Sequence, residues 1–319
     1  MRIQALTLVI LILLAMAVEK HAGNWGIKNL APETFNADAS EKIATIGSQN
    51  DIAYQKASLK EIDEFFIPKG PSRNWNVLDP AIRSESALIY SLSDDFAFLS
   101  YNTYKAWPAA SLTKLMTAAV ILEEVGKAKK MEVTDDAVNT EGVAGGLKAG
   151  DIYIAEDLLK IMLLTSSNDA ATAFEIYLGK DEFVKKMNKK AADLGMINTI
   201  FHDASGLSDL NETSANDMLA LIKYILENHP EILGWTRIQS VTLQPLNSTA
   251  NQTVYNINSL SKESDFLGGK TGTSDQAGEN LVSIFSLRDK KLAVVILGSQ
   301  NRAEEVRSVL TWVGDAYAF

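Results

Sequence analysis

The sequence predicts an α+β fold: an antiparallel sheet flanked by helices, with a mostly helical lobe inserted between its first and last strands. Paired runs rich in β-branched, aromatic and aliphatic residues stand at 87–100 and again at 280–297. Between them, helix-period apolar repeats fill much of the chain.

Taken in order, each element has a local cause. Arg2 precedes an apolar run from Ala5 to Val18, with small residues at Ala15 and Ala17. That is the layout of a secretory signal peptide over residues 1–17, short of the roughly 20 apolar residues that span a bilayer. Export to the periplasmic or cell-wall side of the cytoplasmic membrane is therefore expected. A polar extension follows over 18–76, with Pro32, Pro68-Lys-Gly-Pro71 and one helical candidate from Ile52 to Phe66. The main domain is expected over 77–319. Its first hairpin joins Ala87–Ser91 to Phe96–Ser100 through Leu92-Ser-Asp-Asp95. A helix should start near Pro108, bury Leu112, Leu115, Met116, Ala119, Val120 and Leu122, and stop at Gly126. Residues 155 to 229 are mostly helical in pattern, punctuated by Gly179, Gly195 and His229-Pro230. Asn280–Leu287 and Leu292–Leu297 flank Arg288-Asp-Lys-Lys291 as a second hairpin, and Arg302 to Tyr317 closes the domain as an amphipathic helix.

Composition narrows the function. With 319 residues, 46% hydrophobic and 22% charged, the chain is an ordinary globular protein able to bury a sizeable core. A net charge of −10, with no basic patch interleaved with aromatics, argues against nucleic acid as a partner. Cysteine is absent, which removes disulfides, thiolate nucleophiles and thiolate metal sites. The histidines, His21, His202 and His229, have no metal-ligand spacing, and neither a G-x-S-x-G elbow nor a Walker A loop occurs.

What remains is Ser111-Leu-Thr-Lys114. Positions i and i+3 share a helix face, so a serine hydroxyl and a lysine amine can meet there. Ser259-Leu-Ser-Lys262 has the same spacing, but in a polar setting without an apolar helical repeat behind it. Only Ser111 is followed by Ser166-Ser-Asn168 and then by Lys270-Thr-Gly-Thr273. In such a set Lys114 is the candidate base for a Ser111 nucleophile. Work near neutrality requires shifting its equilibrium by about 4 kcal/mol from an ordinary lysine. Burial supplies one push and a second cation, Lys270, another. Ser166 and Asn168 are expected to share hydrogen bonds with Lys114, with Ser166 relaying a proton to a leaving amine. Thr271, Gly272 and Thr273 should lie on a strand edge, where Gly272 leaves room for a peptide alongside. A backbone N–H from that strand and that of Ser111 would make an oxyanion hole. Lys270 and the threonine hydroxyls would hold a carboxylate.

These motifs resemble the low-molecular-mass penicillin-binding proteins, the serine D-alanyl-D-alanine carboxypeptidase and endopeptidase family. The likeness extends through Pro108–Ala118, Gly146-Leu-Lys-Ala-Gly150, Ser166–Ala170, Phe201-His-Asp-Ala-Ser-Gly-Leu207 and Gly269–Gly278. It implies the penicillin-binding protein/β-lactamase-like fold and acylation of Ser111 by peptidoglycan stem peptides. It also implies trapping of that serine by β-lactam antibiotics, with no metal or organic cofactor. Ser167 departs from the residue common at that place in the family. Many of its carboxypeptidases continue into a β-rich domain and a membrane anchor, which do not fit after Phe319; the layout resembles the endopeptidase-type members. Two alternatives stay open. A class A-like β-lactamase would place a glutamate at position 207, where this chain has Leu207. A catalytically silent peptidoglycan-binding module would bind wall without acylation.

Overall fold

The computed structural model describes residues 70–142 and 145–318. The signal-peptide reading of 1–17, the helical candidate at 52–66 and the extension up to residue 69 lie outside the described residues.

Five strands form the main sheet: β1 (Ser86–Ser91), β2 (Phe96–Tyr101), β3 (Phe266–Ser274), β4 (Gly278–Leu287) and β5 (Lys290–Ser299). They run β3-β4-β5-β1-β2, every pair antiparallel, so the last strand in sequence closes directly on the first. The two expected hairpins are both present. The second is tighter than its sequence suggests: Leu287 pairs with Lys290, leaving only Arg288 and Asp289 in the turn. Both adopt positive φ, 48° and 65°, the mirror-image turn whose twist matches that of the strands.

The middle strands are buried on both faces, and strand alternation divides them between two cores. Leu88, Val282, Ile284, Ala293, Val295 and Leu297 pack into the helical lobe. Ile89, Leu281, Phe285, Leu292, Val294 and Ile296 pack on the other side, against Val306, Val309 and Val313 of the closing helix. The expected helix after Pro108 begins as a 3₁₀ turn, Ala110–Leu112, and continues as α1 (Thr113–Glu124). The lobe adds α2 (Ala155–Thr165), α3 (Asn168–Leu178), α4 (Lys180–Asp193), α5 (Ala215–Asn228) and α6 (Glu231–Arg237); α7 (Arg302–Ala316) closes the domain. A small hairpin, Ser240–Leu243 with Gln252–Tyr255, was not foreseen, because its short strands carry little apolar alternation.

Helix α1 differs from expectation in a way that matters. It is buried all round from Thr113 to Ile121, whereas Leu122, expected inside, is only half-buried. Helices α2, α3, α4 and α6 pack around it and sheet residues Leu88, Val282 and Val295 share its apolar cluster, so the helix spans the interior instead of lying on it. Its polar residues Lys114 and Thr117 are therefore forced out of water.

Glu305, at the start of α7, fastens the far side of the sheet. Its carboxylate accepts from the amides of Arg83 and Ser84, both at 2.9 Å, and from the hydroxyls of Ser84 at 2.8 Å and Ser299 at 2.6 Å. Replacing it with alanine strands two backbone donors, the Ser84 amide in a buried place and the Arg83 amide in a part-buried one. Glu305→Ala should lose about 3 kcal/mol in urea unfolding, while exposed Glu304→Ala should stay within about 0.5 kcal/mol of the parent.

Candidate active site

Ser111 lies in the 3₁₀ turn ahead of α1, and Lys114 one turn further on. The i to i+3 spacing brings the Lys114 Nζ to 2.9 Å from the Ser111 Oγ. Lys114 has no solvent exposure. Its amine donates to Asn168 Oδ1 at 2.8 Å and to the Ser205 carbonyl at 2.5 Å. Burial lowers its pKa from the ordinary value to about 7, against the opposing pull of Asp203 and Asp169.

Ser166 and Asn168 occupy the break between α2 and α3. Ser166 ends α2 with a left-handed φ of 62°, which reverses the chain and points its hydroxyl away from the helix axis. Ser167 caps α3, accepting from the Ala170 amide at 2.9 Å. Asn168 starts α3; its Nδ2 donates to the Glu141 carbonyl at 3.0 Å, which fixes its Oδ1 toward Lys114.

The third motif is on β3, an edge strand of the sheet. Lys270 is buried, and its Nζ donates to Ser166 Oγ at 2.9 Å and to the Thr271 carbonyl at 2.8 Å. Its pKa is held well below the ordinary lysine value, first by burial and then by the charges of Lys114 and Arg302. Thr271 and Thr273 share one face of the strand, Thr271 buried and Thr273 exposed toward its end. Three separate segments thus bring together two hydrogen-bonded sets, Ser111–Lys114–Asn168 and Ser166–Lys270, close enough for the two amines to act on one another electrostatically. The decoy at Ser259 to Lys262 is a 3₁₀ turn whose serine and lysine are both exposed.

A family model described as D-alanyl-D-alanine carboxypeptidase matches residues 74–301. The chain belongs to that family. It is 33% identical over 236 residues to a D-alanyl-D-alanine endopeptidase of Haemophilus influenzae, covering 72% of this chain and 79% of that one. With a D-alanyl-D-alanine carboxypeptidase of Escherichia coli it shares 28% identity, over 77% of this chain and 65% of the other. A penicillin-binding protein of Listeria monocytogenes, solved with ampicillin bound, superposes with a TM-score of 0.65 at 27% identity, covering 74% of this chain and 99% of that one.

One expectation changes. Ser166 bonds to Lys270, not to Lys114; the left-handed turn aims it at the sheet. Burial, one of the two expected causes, lowers the Lys114 pKa, and the two amines press on each other in the buried pocket. Gly272 also has a second reason to be glycine. A Cβ there would sit 3.0 Å from the Ala109 carbonyl and 3.2 Å from the amides of Ser111 and Leu112. Gly272 lets the strand press against the serine turn.

Motif reasoning missed several residues that hold these groups. Arg302 donates to the Gly272 carbonyl at 3.0 Å and to Thr273 Oγ1 at 2.7 Å. Burial lowers its pKa, opposed by Glu279. Asn280, directly across from Gly272, donates to the Pro108 carbonyl at 2.8 Å and accepts from the Gly298 amide at 2.9 Å. Asp203 and Asn211 organise the loop that carries Ser205. The segment Phe201–Leu207 was marked by family resemblance, but nothing in its local pattern separates a clasping aspartate from a solvated one. Arg302 looked like the first residue of a surface helix.

Gly206 makes the closest approach of all. It has φ +82°, and a Cβ would lie 1.9 Å from the Ala110 carbonyl oxygen. Gly150 has φ +84° with nothing within 4 Å. Both substitutions to alanine incur the backbone strain of about 1 kcal/mol or more, but only Gly206→Ala must also displace the serine turn. In parallel urea titrations Gly206→Ala should be less stable than Gly150→Ala by about 2 kcal/mol.

Proposed function

We propose that this protein is a serine D,D-peptidase that cleaves D-alanyl-D-alanine stem peptides of peptidoglycan through an acyl-enzyme on Ser111, with the machinery in the domain at 77–319. The observation that carries the reading is a serine hydroxyl 2.9 Å from a fully buried lysine whose pKa falls to about 7. At neutral pH a large share of that lysine is an uncharged amine, able to serve as a base.

In the forward step Lys114 takes the hydroxyl proton as Ser111 Oγ bonds to the carbonyl carbon. The carbon–nitrogen bond then breaks. Ser166, held by Lys270, gives the departing amine its proton, and the proton taken from Ser111 replaces it. The amide of Ser111 and a free N–H of β3 would stabilise the tetrahedral oxygen, a contribution of about 3 kcal/mol per donor. Arg302, with Thr271 and Thr273, is placed to hold the carboxylate beside the scissile bond. Water next attacks the ester, passes a proton to Lys114 and frees Ser111. No step requires a metal or organic cofactor.

A β-lactam would acylate the same serine. The carboxylates nearest Lys114 are already engaged: Asp203 accepts backbone amides of its own turn, and Asp169 accepts those of Gly145 and Ala170. Neither is free to activate a hydrolytic water, and position 207 is leucine, so slow release of a penicilloyl group is expected in preference to β-lactamase turnover. The apolar run at 5–18 supports export to the outer side of the cytoplasmic membrane. Among the described residues no helix is long and apolar enough to cross a membrane.

Incubation with a labelled penicillin should add one stable adduct by intact mass, absent from Ser111→Ala. No adduct on the parent protein would sink the reading and favour a silent wall-binding module; rapid turnover would favour the β-lactamase. A pentapeptide and a cross-linked muropeptide, offered separately, then identify which D,D bond is cut.

The acylation rate should also rise with pH through about 7 as Lys114 loses its proton, and flatten above. Lys114→Ala should lower the plateau by about 10²–10⁴-fold. A rate still climbing toward pH 10 would show that Lys114 is not the base.

A further inference from the structure

An uncharged amine has two N–H groups and one lone pair. Around Lys114 Nζ, Asn168 Oδ1 and the Ser205 carbonyl accept two hydrogens, which leaves the lone pair for the Ser111 hydroxyl. Removing either acceptor would free the amine to turn its lone pair elsewhere. Asn168 is anchored at the start of a helix, but Ser205 lies in a loop outside helix and strand.

Asp203 supplies the missing anchor. Its Oδ1 accepts from the Ser205 amide at 2.7 Å, the Ser205 hydroxyl at 2.9 Å and the Gly206 amide at 2.6 Å. Its Oδ2 accepts from the Ser208 amide at 2.7 Å. The turn is tied to α1 in its turn: Asn211 Oδ1 accepts from the His202 amide at 2.7 Å, and its Nδ2 donates to Thr113 Oγ1 at 3.1 Å. We propose that Asp203 is a positioning residue for acylation: by clasping the 203–208 turn it keeps the Ser205 carbonyl on Lys114 and so aims the amine lone pair at Ser111. The inference rests on Ser111 and Lys114 acting as nucleophile and base.

Asp203 touches neither Ser111 nor the substrate path, yet its charge reaches the amine. The ionisable groups around Lys114 are Asp203 in this turn, Asp169 on α3 and Lys270 on β3, with Glu175 of α3 behind Ala204. Asp203 favours the protonated amine, so neutralising it should let the free base persist to lower pH.

The test measures acylation of the full-length chain by fluorescent penicillin from pH 5 to 9. Asp203→Asn keeps the size but removes the charge and turns a donor toward the Ser208 amide. Its plateau rate should fall at least tenfold, and its acid limb should move below that of the parent. Asp203→Glu keeps the charge on a longer arm, so its plateau should fall while the limb stays in place. A parent-like rate in Asp203→Asn, or a lower rate with an unmoved limb, overturns the proposal. If Asp203→Asn does not fold, Asp203→Glu decides: a parent-like plateau overturns the positioning role. A parent protein without any adduct would instead fail the nucleophile assignment itself.

Discussion

The burial of one lysine amine is the constraint on which the rest of this structure depends. Moving an ammonium ion out of water costs several kcal/mol even after the protein relaxes. The interior relieves that cost by favouring the uncharged form, which then needs hydrogen-bond acceptors and a donor in fixed places. Asn168, Ser205 and Ser111 provide them from three parts of the chain. Helix α1 can present Lys114 to all three only because it is enclosed on every side, between the sheet and the helices of the lobe. Its burial and its chemistry have the same cause.

A second amine, Lys270, is buried close by, and the pair is informative. Two ammonium groups in one dry pocket would repel strongly, so the pair favours states with at most one charge. Lys270 too is held well below the ordinary lysine value, by burial and by the charges of Lys114 and Arg302. Its bond to Ser166 then links the sheet edge to the break between α2 and α3. The serine turn is gripped from two directions, by Gly272 on the strand and Gly206 on the loop, where side chains would collide with its backbone. Glycine here serves close packing around a reactive group, and among the described residues the outer edge of β3 has no neighbouring strand.

Much of this was legible in the amino-acid order. The hairpins follow from short apolar runs bounded by polar turns, and the closing helix and helical lobe from a period of 3.6. The five polar residues of the cluster were found because their spacing is rare in combination. The reading faltered where local pattern and burial disagree. Helix α1 was taken for a one-faced helix, since Lys114 and Thr117 count as polar and only the enclosing lobe shows them to be interior. The hairpin at 240–255 was missed because its strands are short and mostly polar.

The sequence by itself determined the strands, the helices and the family to which the chain belongs, since each rests on nearest neighbours or on a spaced motif. Only the tertiary structure decided which groups share protons, because that depends on contacts between residues far apart in the chain. Asn211 reaches Thr113 across 98 residues and Asn280 reaches Pro108 across 172. Asp203 bonds only to residues close in sequence, but the importance of its turn is set by where Ser205 meets Lys114, 91 residues away. A pKa, too, is a property of a place: the same lysine on a solvated helix would stay charged, and burial alone makes it a base.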